Sequence, residues 1–253
     1  GVPAETFPDE RRVALAPANV AALKKAGVDV VIQSGAGSPA GYADDEYAAA
    51  GAKLIDDRDQ IFKRAEIILQ VRTAGANSEA ETDDCKLLRE GQTLIGMCDP
   101  LLGAGVMQGL ADRGVTSFAL ELLPRITRAQ SMDVLSSQAS IAGYKAVLTA
   151  AAQLPKMCPM MMTAAGTIAP SRFFVLGAGV AGLQAIATAK RLGAVVWSYD
   201  VRPAVKEEVL SLGAKFLEIE QAKTGDNQSG GYAKEMGREI SSVQLFERRG
   251  INI

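Results

Sequence analysis

The sequence predicts an α/β protein of two parallel-sheet domains, each doubly wound, with the C-terminal half of the second one missing. Short apolar runs of strand length alternate with helix-length segments along nearly the whole chain. Tight loops, many of them holding glycine, join these segments, as βαβ units require when helices cover both faces of a sheet. The rhythm breaks once, at the polar stretch Pro124 to Asp133, and then resumes. The expected parts are a flavodoxin-like or Rossmann-like α/β domain over residues 1–125, a polar loop and linking helix over 126–155, and an incomplete nucleotide-type domain over 156–253.

Residues Gly1 to Ala16 read as a loop-like opening with a charged cluster, Asp9-Glu10-Arg11-Arg12, ahead of Val13-Ala14-Leu15. Pro17 suits the first turn of a helix that Gly27 ends, with Val20, Leu23 and Ala26 as its apolar stripe. A strand is expected over Val28 to Ile32, and Ser34 to Pro39 reads as a turn. Next come a helix from Asp44 to Ala50, a strand from Lys53 to Ile55, a helix from Arg58 to Arg64 and a strand from Ile67 to Val71. A polar loop from Thr73 to Asp84 and a short helix to Glu90 precede a strand from Thr93 to Met97. A helix from Leu101 to Asp112 and a strand from Val115 to Leu120 close the first domain.

A helix is expected from Val134 to Leu154, where Pro155 follows. Met160-Met161-Met162 reads as adaptable core filler. The second domain opens with the apolar run Phe173 to Leu176, then the glycine turn Gly177-Ala178-Gly179-Val180-Ala181-Gly182, then a helix to Leu192 that Gly193 stops. A strand from Ala194 to Trp197, a helix from Ala204 to Leu212 and a strand from Lys215 to Ile219 complete a βαβαβ half. A polar loop from Gln221 to Gly231, Tyr232 and a helix to Arg249 follow, and Gly250 to Ile253 reads as the start of a fourth strand.

Composition narrows the classes. A chain of 253 residues, 48% hydrophobic and 22% charged, is that of a globular protein with room for two modest domains. A formal charge of −2 with no basic block argues against nucleic acid as a partner. Cys85, Cys98 and Cys158 share no metal-ligand spacing and read as free thiols in a reducing compartment; no metal site is expected. No apolar stretch is long enough to span a bilayer. The start on Gly1 reads as a processed or trimmed terminus. There is no histidine, so a dehydrogenase that reduces a carbonyl would have to find its proton donor elsewhere.

The glycine turn carries the strongest signal. Gly177 permits the tight turn, Gly179 lets backbone approach a pyrophosphate, and Gly182 lets helix pack closely on strand. The helix start aims free N–H groups and a positive dipole end at phosphate. Asp200 follows Gly182 by 18 residues at the end of the next strand, where a carboxylate that bonds a ribose 2′-OH belongs. A dinucleotide is the expected ligand, NAD rather than NADP, although Arg202 could pair with a 2′-phosphate. The polar loop has two readings. Ser131 or Asp133 could simply cap the helix that follows, or Arg125, Gln130, Asp133 and Ser136 could face a nicotinamide carboxamide.

Longer motifs resemble a known family. Pro124 to Asp133, Ala142-Gly143-Tyr144, Met160 to Gly166, Gly179 to Ala194 and Gly230 to Met236 are together similar to the NAD(H)-binding domain I of proton-translocating NAD(P) transhydrogenase, in the alanine dehydrogenase/transhydrogenase superfamily. The resemblance covers nearly the whole chain. It implies hydride transfer from NADH held here to NADP⁺ held on a partner domain III, coupled by a membrane domain II to proton movement. It implies a homodimer on the peripheral face of an energy-coupling membrane. Mapped onto this chain, the nicotinamide-positioning residues are Arg125, Gln130, Asp133 and Ser136. The nucleotide contacts map to Ala178, Gly179, Val180, Asp200, Val201, Arg202 and Gly231, with Tyr232 on a mobile loop. Hydride transfer between two nicotinamide rings moves no proton at the reacting carbons, which agrees with the missing histidine. An alanine dehydrogenase is the alternative, through Arg12-Val13-Ala14-Leu15. That family's substrate Lys and His are absent from Leu69-Gln70-Val71-Arg72 and Gly96-Met97-Cys98-Asp99. A module that binds NADH without catalysis is a third reading.

Overall fold

The computed structural model describes residues 1–77 and 81–218, with the side chains of 81–83 excepted. The expectations for residues 219–253, Gly231 and Tyr232 among them, therefore lie outside the described residues. The chain divides into two compact units, Gly1–Val134 and Leu135–Ile253.

In the first unit five helices and five strands alternate: α1 (Pro17–Lys25), β1 (Val31–Gln33), α2 (Asp44–Ala50), β2 (Lys53–Ile55), α3 (Arg58–Arg64), β3 (Ile67–Arg72), α4 (Glu81–Leu87), β4 (Thr93–Met97), α5 (Ala104–Asp112) and β5 (Thr116–Ala119). β1 pairs in parallel with β2, and β3, β4 and β5 form a parallel sheet in that order. The opening residues are not merely a loop. Val2 donates its N–H to Val31 O and accepts from Gln33 N, both at 2.9 Å, while Gly1 O accepts from Leu69 N at 2.8 Å. A two-residue segment thus joins the β1–β2 ladder to β3, an arrangement too short to leave any periodic signal in sequence.

Two element starts move inward by three residues from expectation. β1 begins at Val31, because the chain through Val28 is still closing α1, with Val28 N donating to Leu23 O at 3.0 Å. α5 begins at Ala104, since Asp99 takes a left-handed conformation (φ 46°) and its carbonyl accepts from Leu102 N and Gly103 N in a tight turn. Leu101 and Leu102 consequently face outward, 83% and 86% exposed. Two apolar clusters fill this unit, one around Ile61, Phe62, Ile68 and Leu94, the other around Val20, Ile32 and Tyr47. The Tyr47 hydroxyl, buried, donates to Leu15 O at 2.9 Å.

The second unit holds α6 (Val134–Gln153), whose first residue ends the first unit, then β6 (Met161–Thr163), β7 (Gly166–Ile168), β8 (Arg172–Leu176), α7 (Val180–Arg191), β9 (Val195–Tyr199), α8 (Lys206–Ser211) and β10 (Lys215–Phe216). The sheet runs β10-β9-β8, all parallel, which is the expected βαβαβ half. Its core gathers Ile186 and Ala189 of α7, Val196 of β9, Val205 and Val209, and Val147 of α6.

The methionine run is a correction. Met161 and Met162 lie in an antiparallel hairpin, β6 against β7, whose residues are all exposed; Met160 is 59% and Met162 80% exposed. They fill no core. A two-stranded ribbon with neither face covered needs no alternation of apolar and polar residues, so sequence pattern does not announce it.

Candidate functional site

The site is built where β8 and β9 end. After Leu176 the chain turns through Gly177, whose φ of 89° favours glycine. Gly177 N donates to Tyr199 O at 2.8 Å, so the turn continues the β8–β9 ladder by one bond. Ala178, buried, then donates its N–H to Asp200 Oδ2 at 2.7 Å. Gly179 is the N-cap of α7, extended at φ −77°, ψ −169°. The first amides of a helix have no acceptor within it, and here they follow directly on Gly179.

The three glycines do different work, and the space around them shows it. A Cβ on Gly182 would sit 1.9 Å from Gly177 O, which makes this the place where helix and turn touch. A Cβ on Gly179 would meet no protein atom within 4 Å. The turn is therefore packed on its Gly182 side and open on its Gly179 side. The amide-lined opening over Gly179 and Val180, next to a carboxylate, fits the diphosphate and ribose of a dinucleotide.

α7 is held by Ala185, Ile186, Thr188 and Ala189, all buried. It is held also by α6, because a Cβ on Gly143 would lie 2.1 Å from Ala181 O. Gly143 is a positioning residue to which motif reading gives no role. A signal for it exists: it is the one glycine in the 20-residue α6, and an isolated helical glycine usually marks a close approach.

Asp200 is 8% exposed, and its carboxylate is fully engaged. Oδ1 accepts from Arg202 N (2.8 Å) and Arg202 Nε (3.0 Å). Oδ2 accepts from Ala178 N (2.7 Å) and Arg202 Nη2 (3.1 Å). Burial works to raise the Asp200 carboxyl, but the Arg202 guanidinium and the two backbone amides more than offset it and hold it below the usual carboxylate range. The Asp200 bond in turn raises Arg202. Arg202, expected as a nucleotide contact, thus spends its guanidinium on both oxygens of Asp200. Val201, half-buried, connects the two. Tyr199 is buried beside Asp200, and its hydroxyl has no partner among the described residues.

The polar-loop residues belong to the segment that leads into α6. Arg125 and Gln130 are exposed, Gln130 within a 3-10 turn from Thr127 to Met132. Asp133 follows that turn, its N–H donating to Gln130 O at 3.3 Å, and Ser136 is half-buried in the first turn of α6. Gly177, Ala178, Gly179, Val180, Gly182, Asp200, Val201 and Arg202 come together at the mouth of the second unit's sheet. Arg125, Gln130 and Asp133 belong to the first unit and Ser136 to the second.

The first unit carries its own ionic cluster at the end of β3. The Arg12 side chain holds the Glu10 carboxyl down at about 2, against the pull of burial, and Arg72 adds a second cation 3.3 Å away. The Arg72 guanidinium also lies 4.1 Å from the centre of the Phe7 ring. The Arg12 and Arg72 side chains are therefore both committed to Glu10. Next to them Arg58 forks onto Asp84, which also accepts from Gln70. Burial raises the Glu5 carboxyl, although it accepts from the amides of Val71 and Arg72. The three cysteines are free thiols, and burial pushes Cys98 up. Among the described residues no His/Cys/Asp/Glu group could hold a metal, and no helix is long and apolar enough to cross a membrane.

Known proteins similar to this chain cover nearly all of it. Residues 1–142 match the family described as alanine dehydrogenase/PNT, N-terminal domain, and residues 146–245 its C-terminal domain. An NAD(P) transhydrogenase alpha-subunit chain of Rhodospirillum rubrum is 47% identical over 245 residues, 96% of this chain and 63% of that one. A solved transhydrogenase structure from Sinorhizobium meliloti superposes with a TM-score of 0.81 at 50% identity, covering 87% of this chain and 61% of its own. A solved L-alanine dehydrogenase gives 0.72 at 26% identity, covering 85% and 59%. The chain spans about 63% of the length of the R. rubrum relative it matches. With both of its domain types matched in order along the sequence, this chain belongs to the alanine dehydrogenase/PNT family.

Proposed function

We propose that this chain holds NAD(H) and exchanges hydride with NADP(H) carried on a partner domain III, as part of a transhydrogenase whose membrane domain II couples the transfer to proton movement. The observation that carries this reading is the glycine turn itself. It is pinned to Asp200 by the Ala178 N–H and packed at Gly182, yet open over Gly179. The transhydrogenase relatives support it, with identities of 47% and 50% against 26% for the solved alanine dehydrogenase.

The bound nicotinamide supplies the hydride chemistry; what the chain supplies is placement. The amides at the start of α7 neutralise diphosphate charge without a cation, and Asp200 accepts from a sugar hydroxyl. Arg125, Gln130, Asp133 and Ser136 orient the nicotinamide carboxamide, and Gly231 and Tyr232 are further nucleotide contacts. Transfer between two such rings needs reacting carbons about 3–3.5 Å apart with water excluded. It needs no general acid, so a chain without histidine is adequate. The working state is a homodimer on the peripheral face of an energy-coupling membrane.

The test uses the lone tryptophan. Trp197 lies in β9, three residues before Asp200, so NADH bound at the turn will quench its emission. The chain mixed with an NADP(H)-binding partner domain should then reduce an NAD analogue at the expense of NADPH. Turnover of pyruvate with ammonia and NADH by the chain alone would replace this reading with the alanine dehydrogenase one. Quenching without turnover in either assay would leave a binding module.

A further inference from the structure

The Asp200–Arg202 pair sets which dinucleotide enters, in a way that neither residue would alone. This inference rests on the nucleotide site proposed above and assigns its discrimination. The Asp200 carboxylate has about four acceptor positions, and all are filled. Two are filled by backbone, Ala178 N–H and Arg202 N–H, and stay filled whatever the side chains do. The other two are filled by Nε and Nη2 of the Arg202 guanidinium, the two movable donors of the four.

We propose that Arg202 is a latch on the ribose position: a sugar 2′-OH enters by displacing its guanidinium from Asp200, and Asp200, by retaining that guanidinium, withholds it from a 2′-phosphate. Two consequences follow from charge. An entering hydroxyl puts a neutral donor where a charged one was, while the Arg202 N–H stays on Asp200 Oδ1. An entering 2′-phosphate meets the carboxylate and can recruit Arg202 only by breaking a forked, charge-assisted pair and leaving Asp200 uncompensated, which is the costly outcome. Arg202 is therefore a phosphate ligand kept in reserve. The same guanidinium that makes the sequence ambiguous between NAD and NADP is neutralised by its neighbour in the fold.

The test is a two-residue cycle on the whole chain, read by Trp197 quenching and by calorimetric titration with NADH and NADPH. Asp200→Asn keeps the shape and removes the charge. It should weaken NADH and improve NADPH, narrowing their ratio by at least about tenfold. Arg202→Ala alone should bind NADH more tightly than the parent, because no guanidinium has to be displaced from Asp200, and should still reject NADPH. In the double variant the NADPH affinity gained by Asp200→Asn should be lost again. If Asp200→Asn gains no NADPH affinity, or the gain survives removal of Arg202, the latch is wrong while the nucleotide site stands. If the parent chain binds NADH at no accessible concentration, the site and the latch fall together.

Discussion

Gly179 and Gly182 are three residues apart in one turn and do opposite work, so they separate folding from binding. A methyl group at 182 would lie 1.9 Å from Gly177 O, and something must shift. That contact is with backbone, so nothing can rotate away. Gly182→Ala should therefore lower the stability of the second unit by about 2–4 kcal/mol and abolish NADH quenching of Trp197 with it. A methyl group at 179 meets nothing in the protein and suits its extended backbone. Gly179→Ala should cost about 1 kcal/mol in a urea titration, because alanine is a markedly poorer N-cap than glycine. It should nonetheless weaken NADH at least about tenfold, because the methyl fills the space through which a diphosphate reaches the amides. If the binding loss tracked the stability loss in both variants, the opening over Gly179 would not be a ligand site. The close contact at Gly182 and the open side at Gly179 are both legible in sequence, because each follows from position within the motif. That Asp200 is already occupied is not legible there. Spacing places a carboxylate at the right height, whereas the bonds to Ala178 N–H and the Arg202 fork depend on how two strand ends meet.

At the scale of elements, α6 shows what sequence pattern conveys and what it leaves out. Its extent, Val134–Gln153, is legible from the helix-compatible run and from Pro155. Its contacts are not. Only Gly143 and Val147 of its 20 residues are buried, and Ile141 and Tyr144 are exposed, so no broad apolar stripe announces its packing. The helix reaches the second unit's core through Val147 and meets α7 where Gly143 faces Ala181 O. Gly143→Ala should push the two helices apart at the turn that carries the amides. We expect weaker NADH quenching with far-UV dichroism unchanged, and a loss of about 1–3 kcal/mol in thermal or urea unfolding. Unaltered binding would show that α6 does not position the turn. The strands are easier to read. Parallel strands such as β3, β4 and β8 are largely apolar runs between tight turns, and that is a local signal. The exposed β6–β7 hairpin is held by pairing alone, and the segment at Gly1-Val2, although Val2 is buried in the core, is too short to show a pattern, which leaves the sequence silent about both.

At the scale of the whole molecule the chain is two cores in series. Each of the three apolar clusters draws its buried residues from a single unit, two from the first and one from the second. The ionic cluster at Glu10 belongs to the first unit, whereas Trp197, the chain's one tryptophan, belongs to the second. This division lets one measurement address each unit. The Arg12 hydrogen bond draws Glu10 down to about 2 from an ordinary 4.5, so its stabilisation is complete above about 4.5 and is lost as pH falls through about 2. Glu10→Gln removes it at neutral pH and leaves Arg12 and Arg72 without their shared anion. The pair is partly open to water, which limits the loss to about 1–2 kcal/mol. Unfolding in urea at pH 7 should then show the early part of the far-UV dichroism transition moving to lower urea while the Trp197 midpoint stays where it was. As the pH is lowered from 4.5 towards 2, parent and variant should converge, because the parent loses by protonation what the variant never had. A Trp197 midpoint that moved with Glu10→Gln would mean that the two units unfold as one, and that the stability of the nucleotide-side unit depends on a salt bridge in its neighbour.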